Sequence, residues 1–190
     1  MPLKKRNNMT LAQQKYWSGA AEYLLFMWQM EDLLRAVHFD VDALDGFIAT
    51  YSQSPEEGEA EKKWFQNMVR DMKTERLEQR GHLSELDEIM TELTYLHQSL
   101  LKVSKDPDYL SLYQIAKPNM DEYASRAKGI GTNEVELCLQ ALYGLLVLRL
   151  RREKISEETQ AAMDSFSALM AALSKEYLKM KQGDQQAALN

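Results

Sequence analysis

Apolar residues recur at helical spacing along most of the chain, and no stretch shows the strict alternation, bounded by turns, that marks a strand. Thr10 and Gln13 form a T-x-x-Q capping box. The helix it opens is predicted to run to about Val37, with Trp17, Ala21, Leu24 and Trp28 as its apolar stripe. Asp40 caps a short second helix that ends near Tyr51, and Ser54 with Pro55 opens a third, from about Glu56 to Arg80. Gly81 then marks a break or a kink; a helix continuous through it stays open, because one glycine costs only about 1 kcal/mol. A fourth helix, from about His82 to Ser104, carries the seam Leu83, Leu86, Met90, Leu93, His97 and Leu100, the spacing of a bundle-packing stripe.

Further on, Asp106-Pro107 starts a helix that Pro118 is expected to stop near Ala116, and Asn119 caps a short one to Lys128. Gly129-Ile130-Gly131 reads as a turn, followed by a Thr132 cap. The helix from about Asn133 to Arg152 is apolar almost all round, which predicts burial inside a bundle or against a partner. Ser156 caps the last helix, expected to end at Gly183. The sum is an all-α fold: a helical bundle of four or five long helices with shorter connecting helices. It is expected as one domain over residues 10–183, between a flexible tail at 1–9 and a frayed tail at 184–190.

Composition supports a globular chain, since 45% of the 190 residues are hydrophobic and 27% charged. The net charge of −6 repels phosphate backbones and anionic lipid, which argues against nucleic-acid and membrane partners. The basic clusters Lys4-Lys5-Arg6 and Arg149, Arg151, Arg152, Lys154 are too short to reverse that sign. The apolar stretch from Ala20 to Met30 contains Glu22 and Gln29 and runs into Glu31-Asp32, so it is not read as a signal peptide. A single cysteine, Cys138, allows no intrachain disulfide and suits a reduced, cytoplasmic setting.

Two stretches, Glu22 to Ala36 and Leu142 to Leu150 followed by Ile155-Ser156, together with Gly81-His82-Leu83 and Leu96-His97, resemble a bacterial family known only as a domain of unknown function. The resemblance spans about residues 11 to 180. It implies a bacterial, cytoplasmic, helical protein and carries over no activity, substrate or catalytic residue.

The chemistry left to weigh is in polar residues at core positions. Glu31 and Arg35 continue the first stripe, four residues apart, and read as a structural ion pair. Glu75 continues the stripe Phe65, Met68, Met72; His97 sits between Leu93 and Leu100; Glu136, Gln140 and Tyr143 form a narrow polar line on an oily helix. A buried ionisable group is costly unless paired or ligated. Convergence of Glu31, Glu75, His97 and Glu136 on a metal or small ligand is therefore one reading, although the Glu-x-x-His pairs of di-iron bundles are absent. The plainer reading makes His97 a hydrogen-bonded core histidine, His82 a cap at a helix junction, His38 an exposed turn residue and Trp17, Trp28 and Trp64 core or interface anchors. Cys138 reads as a packed small hydrophobe.

No Walker loop, G-x-S-x-G, H-E-x-x-H or C-x-x-C is present, no catalytic residue is assigned and no cofactor is predicted. The leading expectation is a non-catalytic helical protein that self-associates or docks a protein partner. The alternative is a metal- or small-ligand-binding bundle, with an enzyme as its extreme form.

Overall fold

A computed structural model describes residues 9–126 and 133–187, with side chains through 183. Among the described residues there is no strand, and the long helices with short connectors expected of an all-α bundle are present. In chain order the α-helices are α1 (Leu11–Ser18), α2 (Ala20–Ala36), α3 (Asp45–Tyr51), α4 (Pro55–Thr74), α5 (Ser84–Ser99), α6 (Pro107–Arg126), α7 (Glu134–Leu150) and α8 (Glu157–Ala187). A 3-10 turn, Val41–Leu44, precedes α3, and a π-helical turn, Leu100–Ser104, follows α5. None of the described helices is long and apolar enough to cross a membrane. The 1–8 part of the expected N-terminal tail, the Gly129-Ile130-Gly131 turn, the Thr132 cap and residues 188–190 lie outside the described residues.

The chain divides into two compact units, Met1–Glu88 and Ile89–Asn190. In the first, α1 packs beside α2 and α3 packs on α4. Its core holds Leu24, Met27, Leu34, Phe65 and Met72. In the second, α6, α7 and α8 pack on one another. Its core includes Leu93, Ala116, Met120, Leu139, Phe166, Leu169 and Tyr177.

The N-terminal signals behave as the sequence predicts. The Thr10 amide donates to Gln13 Oε1 (2.9 Å) and the Gln13 amide to Thr10 Oγ1 (3.3 Å), closing the capping box. Ser54 Oγ accepts from the Glu57 amide with Pro55 at the first helical position, and Asp40 accepts from Asp42. The seam of α5 is buried at Leu83, Leu86, Leu93, His97 and Leu100.

Several boundaries differ, each for a local reason. The predicted Thr10–Val37 helix is broken at Gly19, whose extended backbone ends α1 and begins α2. The third helix stops at Thr74 and not Arg80. Arg76 turns left-handed (φ 59°), the Leu77 amide donates to the Met72 carbonyl (2.8 Å) and the Arg76 amide to Lys73 (3.2 Å), the paired bonds of a Schellman cap. The same pair closes α2 through His38 (φ 53°) and α7 through Arg152 (φ 57°). Residues 75–83 therefore form a connection between α4 and α5, and the helix is not continuous through Gly81 (φ 93°). Pro118 does not stop α6: it lies on the exposed side, so its missing amide leaves no buried carbonyl, while buried Ala116 and Met120 hold the turns on either side. Asn119, expected as a cap, instead donates from Nδ2 to Ser165 Oγ (3.0 Å). The cap of α7 is Asn133, whose Oδ1 accepts from the Val135 and Glu136 amides. Only the first half of α7 is deeply packed; Leu150 at its end is 72% exposed. Helix α8 continues through Gly183 to Ala187.

Candidate functional site

Buried polar residues organise both units. Glu31, on α2, is wholly buried. Its Oε1 accepts from the Leu83 amide (2.8 Å) and its Oε2 meets His82 Nδ1 (2.5 Å). His82 also stacks on Trp28, with ring centroids 4.7 Å apart. The expected Glu31–Arg35 ion pair is not formed. Arg35 bridges Asp32 (2.9 Å), the Leu77 carbonyl (3.0 Å) and the Gly81 carbonyl (2.5 Å), because the 75–83 connection presents unpaired carbonyls to it and unpaired donors to Glu31. Glu75 caps the start of α5, accepting from the Ser84 amide (2.8 Å) and hydroxyl (3.0 Å). Glu31, Arg35, Glu75 and His82 thus hold one connection and the helix end that follows it.

In the second unit His97 is buried. Its Nδ1 meets the Tyr109 hydroxyl (2.7 Å) and its Nε2 meets Glu134 Oε2 (3.1 Å). A carboxylate accepts, so Nε2 carries the proton and, in neutral His97, Nδ1 accepts from the tyrosine. Tyr113 donates to Glu134 Oε1 (3.0 Å) and Lys117 stands 3.8 Å from the same oxygen. The His97 hydrogen bond, with Tyr113 and the Lys117 charge beside it, outweighs desolvation and holds the Glu134 carboxyl below the ordinary range. Burial, then the Glu134 charge, pushes the Cys138 thiol up to about 12, so it stays protonated as a packed hydrophobe. Glu136 is spent on Gln140 (2.9 Å) within α7, and Tyr143 lies half-buried further along. Glu31 and Glu75 belong to the first unit, His97 and Glu136 to the second. Among the described residues no group of three or more His, Cys, Asp or Glu is placed to hold a metal ion.

An open feature of another kind lies in the first unit. A cleft of about 520 Å³ is lined by Tyr16 and Trp17 of α1, Tyr23 of α2, Trp64 and Asp71 of α4 and Glu85 at the start of α5. Tyr16 meets Trp17 edge-on (5.6 Å, 88°) and Tyr23 edge-on (5.4 Å, 87°), so neighbouring rings stand at right angles. Helix α1 is held in place by Glu61 of α4, which accepts from the Leu11 amide (2.5 Å). Glu85 is held by the Glu31 and Glu75 bonds just before it in the chain.

A family model described as Domain of unknown function (DUF4924) matches residues 9–184. The chain belongs to that family. No curated protein and no solved structure matches it. The DUF4924 match begins one residue before the capping box and takes in every described helix but the last residues of α8, so cleft and polar networks all fall within it. Sequence reasoning about this DUF4924 chain singled out Glu31 and His97, which are buried, and Glu75, which is exposed and not on the core stripe expected of it, and it missed Tyr109, Glu134, Glu61 and the whole cleft. Glu134 carried a signal in hindsight: it opens α7 directly after an asparagine cap. Trp17, expected as a core or interface anchor, is 40% exposed on the cleft because the break at Gly19 separates α1 from the α2 stripe.

Proposed function

We propose that this protein is a non-catalytic binding protein and that the aromatic cleft of its first unit is where a small organic molecule is held. The supporting observation is the cleft itself: about 520 Å³ of open space between four aromatic side chains and two carboxylates. That volume lies inside the span of roughly 300–1,000 Å³ usual for small-ligand sites, and the aromatic walls are interleaved with the polar side chains of Gln13, Lys63, Asn67, Asp71 and Glu85. The buried ionisable residues support the same reading, since Glu31 and His97 are committed to holding backbone and neighbouring side chains.

An NMR fragment screen that follows the indole N–H signals of Trp17 and Trp64 tests the proposal. Hits should move both signals, and the movement should vanish in Ala60→Phe, which places a ring in the cleft from an exposed position on α4. Hits that leave both signals still, or that bind Ala60→Phe equally well, refute it.

A second reading, self-association, is favoured by one observation: α7 ends with Leu148 39% and Leu150 72% exposed. Light scattering decides it, since Leu150→Glu should convert an oligomer to monomers, and a wild-type monomer at high concentration ends this reading.

A further inference from the structure

We infer that the cleft selects a small organic cation, an alkylammonium or quaternary ammonium group, an inference that rests on the cleft being the binding site. The faces of aromatic rings carry partial negative charge and attract cations within about 6 Å of the ring centre. Tyr16 stands at right angles to both Trp17 and Tyr23, and all three rings line the cleft, so a compact cation there lies near more than one ring. A neutral flat ligand gains less from perpendicular walls, which cannot both stack on it.

The charges at the cleft point the same way. Asp71 and Glu85 line the cleft together with Lys63, two carboxylates to one ammonium. Asp71 shares an oxygen with Arg70 Nε on its own helix (3.1 Å). Glu85 receives a long hydrogen bond from the Tyr23 hydroxyl (3.4 Å). Partial burial pushes the Glu85 carboxyl above its ordinary range against the Tyr23 hydrogen bond, and the like charges of Asp71, Glu75 and Glu31 add to the rise, although Glu85 as a residue remains exposed. A carboxylate hemmed in by other acids gains most from an arriving cation. The net charge of the chain, −6, draws cations toward it from a distance.

Choline and its neutral isostere 3,3-dimethylbutan-1-ol, titrated separately against the full chain and followed through the Trp17 and Trp64 indole signals, test the inference. Choline should bind about two- to fivefold more tightly, in line with a cation–π contact at an open, solvent-facing site. Glu85→Gln should weaken choline several-fold and leave the alcohol unchanged, while Lys63→Met, which removes the competing ammonium, should tighten choline. Equal binding of alcohol and choline overturns the cation inference and leaves the cleft reading standing. Failure of both, with fragment hits still present at the cleft, also overturns the inference alone. Failure of both together with an empty fragment screen overturns the cleft reading as well.

Discussion

Replacing Glu31 with alanine takes away the acceptor of the buried Leu83 amide and the partner of His82 at once. An orphaned buried donor costs about 1–3 kcal/mol. His82 contributes less, because its side chain is 40% exposed and water can take over at Nδ1. The lost side-chain volume adds roughly 1–2 kcal/mol in a wholly buried position. Relief from burying a carboxylate offsets part of this, which leaves a net loss of about 2–4 kcal/mol. Glu31→Gln keeps one carbonyl oxygen for the Leu83 amide and should cost about 1 kcal/mol. Because the 75–83 connection is the segment released, hydrogen exchange reads the effect most directly. The Leu83 amide should exchange roughly thirty- to a thousandfold faster in Glu31→Ala, the equivalent of that free-energy range. An unchanged Leu83 rate, or equal effects of Ala and Gln, would refute the idea that this carboxylate pins the connection and the start of α5.

Other consequences are open to simple measurement. Arg76→Gly should raise stability in urea unfolding by up to about 1 kcal/mol, since Arg76 holds a left-handed conformation that glycine adopts freely; a loss would contradict the cap. Pro118→Ala should stabilise the chain by about 1–3 kcal/mol in the same assay, by restoring the amide that α6 lacks at that turn; no gain would contradict the cost assigned to the missing amide. The lowered Glu134 carboxyl contributes stability that is fully present above the unfolded carboxylate value and is lost as pH falls through the lower folded value. Urea midpoints between pH 7 and pH 2 should therefore fall less steeply in Glu134→Gln than in wild type, and identical slopes would remove Glu134 from the account.

Much of the fold is legible in the residue pattern alone. Local chemistry at helix starts is strong: the Thr10–Gln13 box, Asp40, Ser54-Pro55 and Ser156 each cap where the sequence places a cap. Helix ends were harder. His38, Arg76 and Arg152 occupy left-handed cap positions where glycine is the usual signal, so nothing in the residue type announces them. Pro118 misled in the other direction, because its cost depends on whether its turn faces solvent. The candidate site was half legible. Seam spacing singles out Glu31 and His97 as polar residues in apolar places, and both are buried. Their partners were not legible, since the Leu83 amide lies 52 residues from Glu31 and Glu134 lies 37 from His97. The cleft left no trace, because it exists only where α1, broken from α2 at Gly19, turns Tyr16 and Trp17 into its wall.

Intermolecular NOEs between choline N-methyl protons and the isotope-labelled protein show directly whether the aromatic cleft of the first unit takes an organic cation. Cross-peaks to ring protons of Tyr16, Trp17 and Tyr23 are expected, as is their disappearance in Ala60→Phe. Cross-peaks confined to residues outside the cleft at saturating choline would contradict a cation site there.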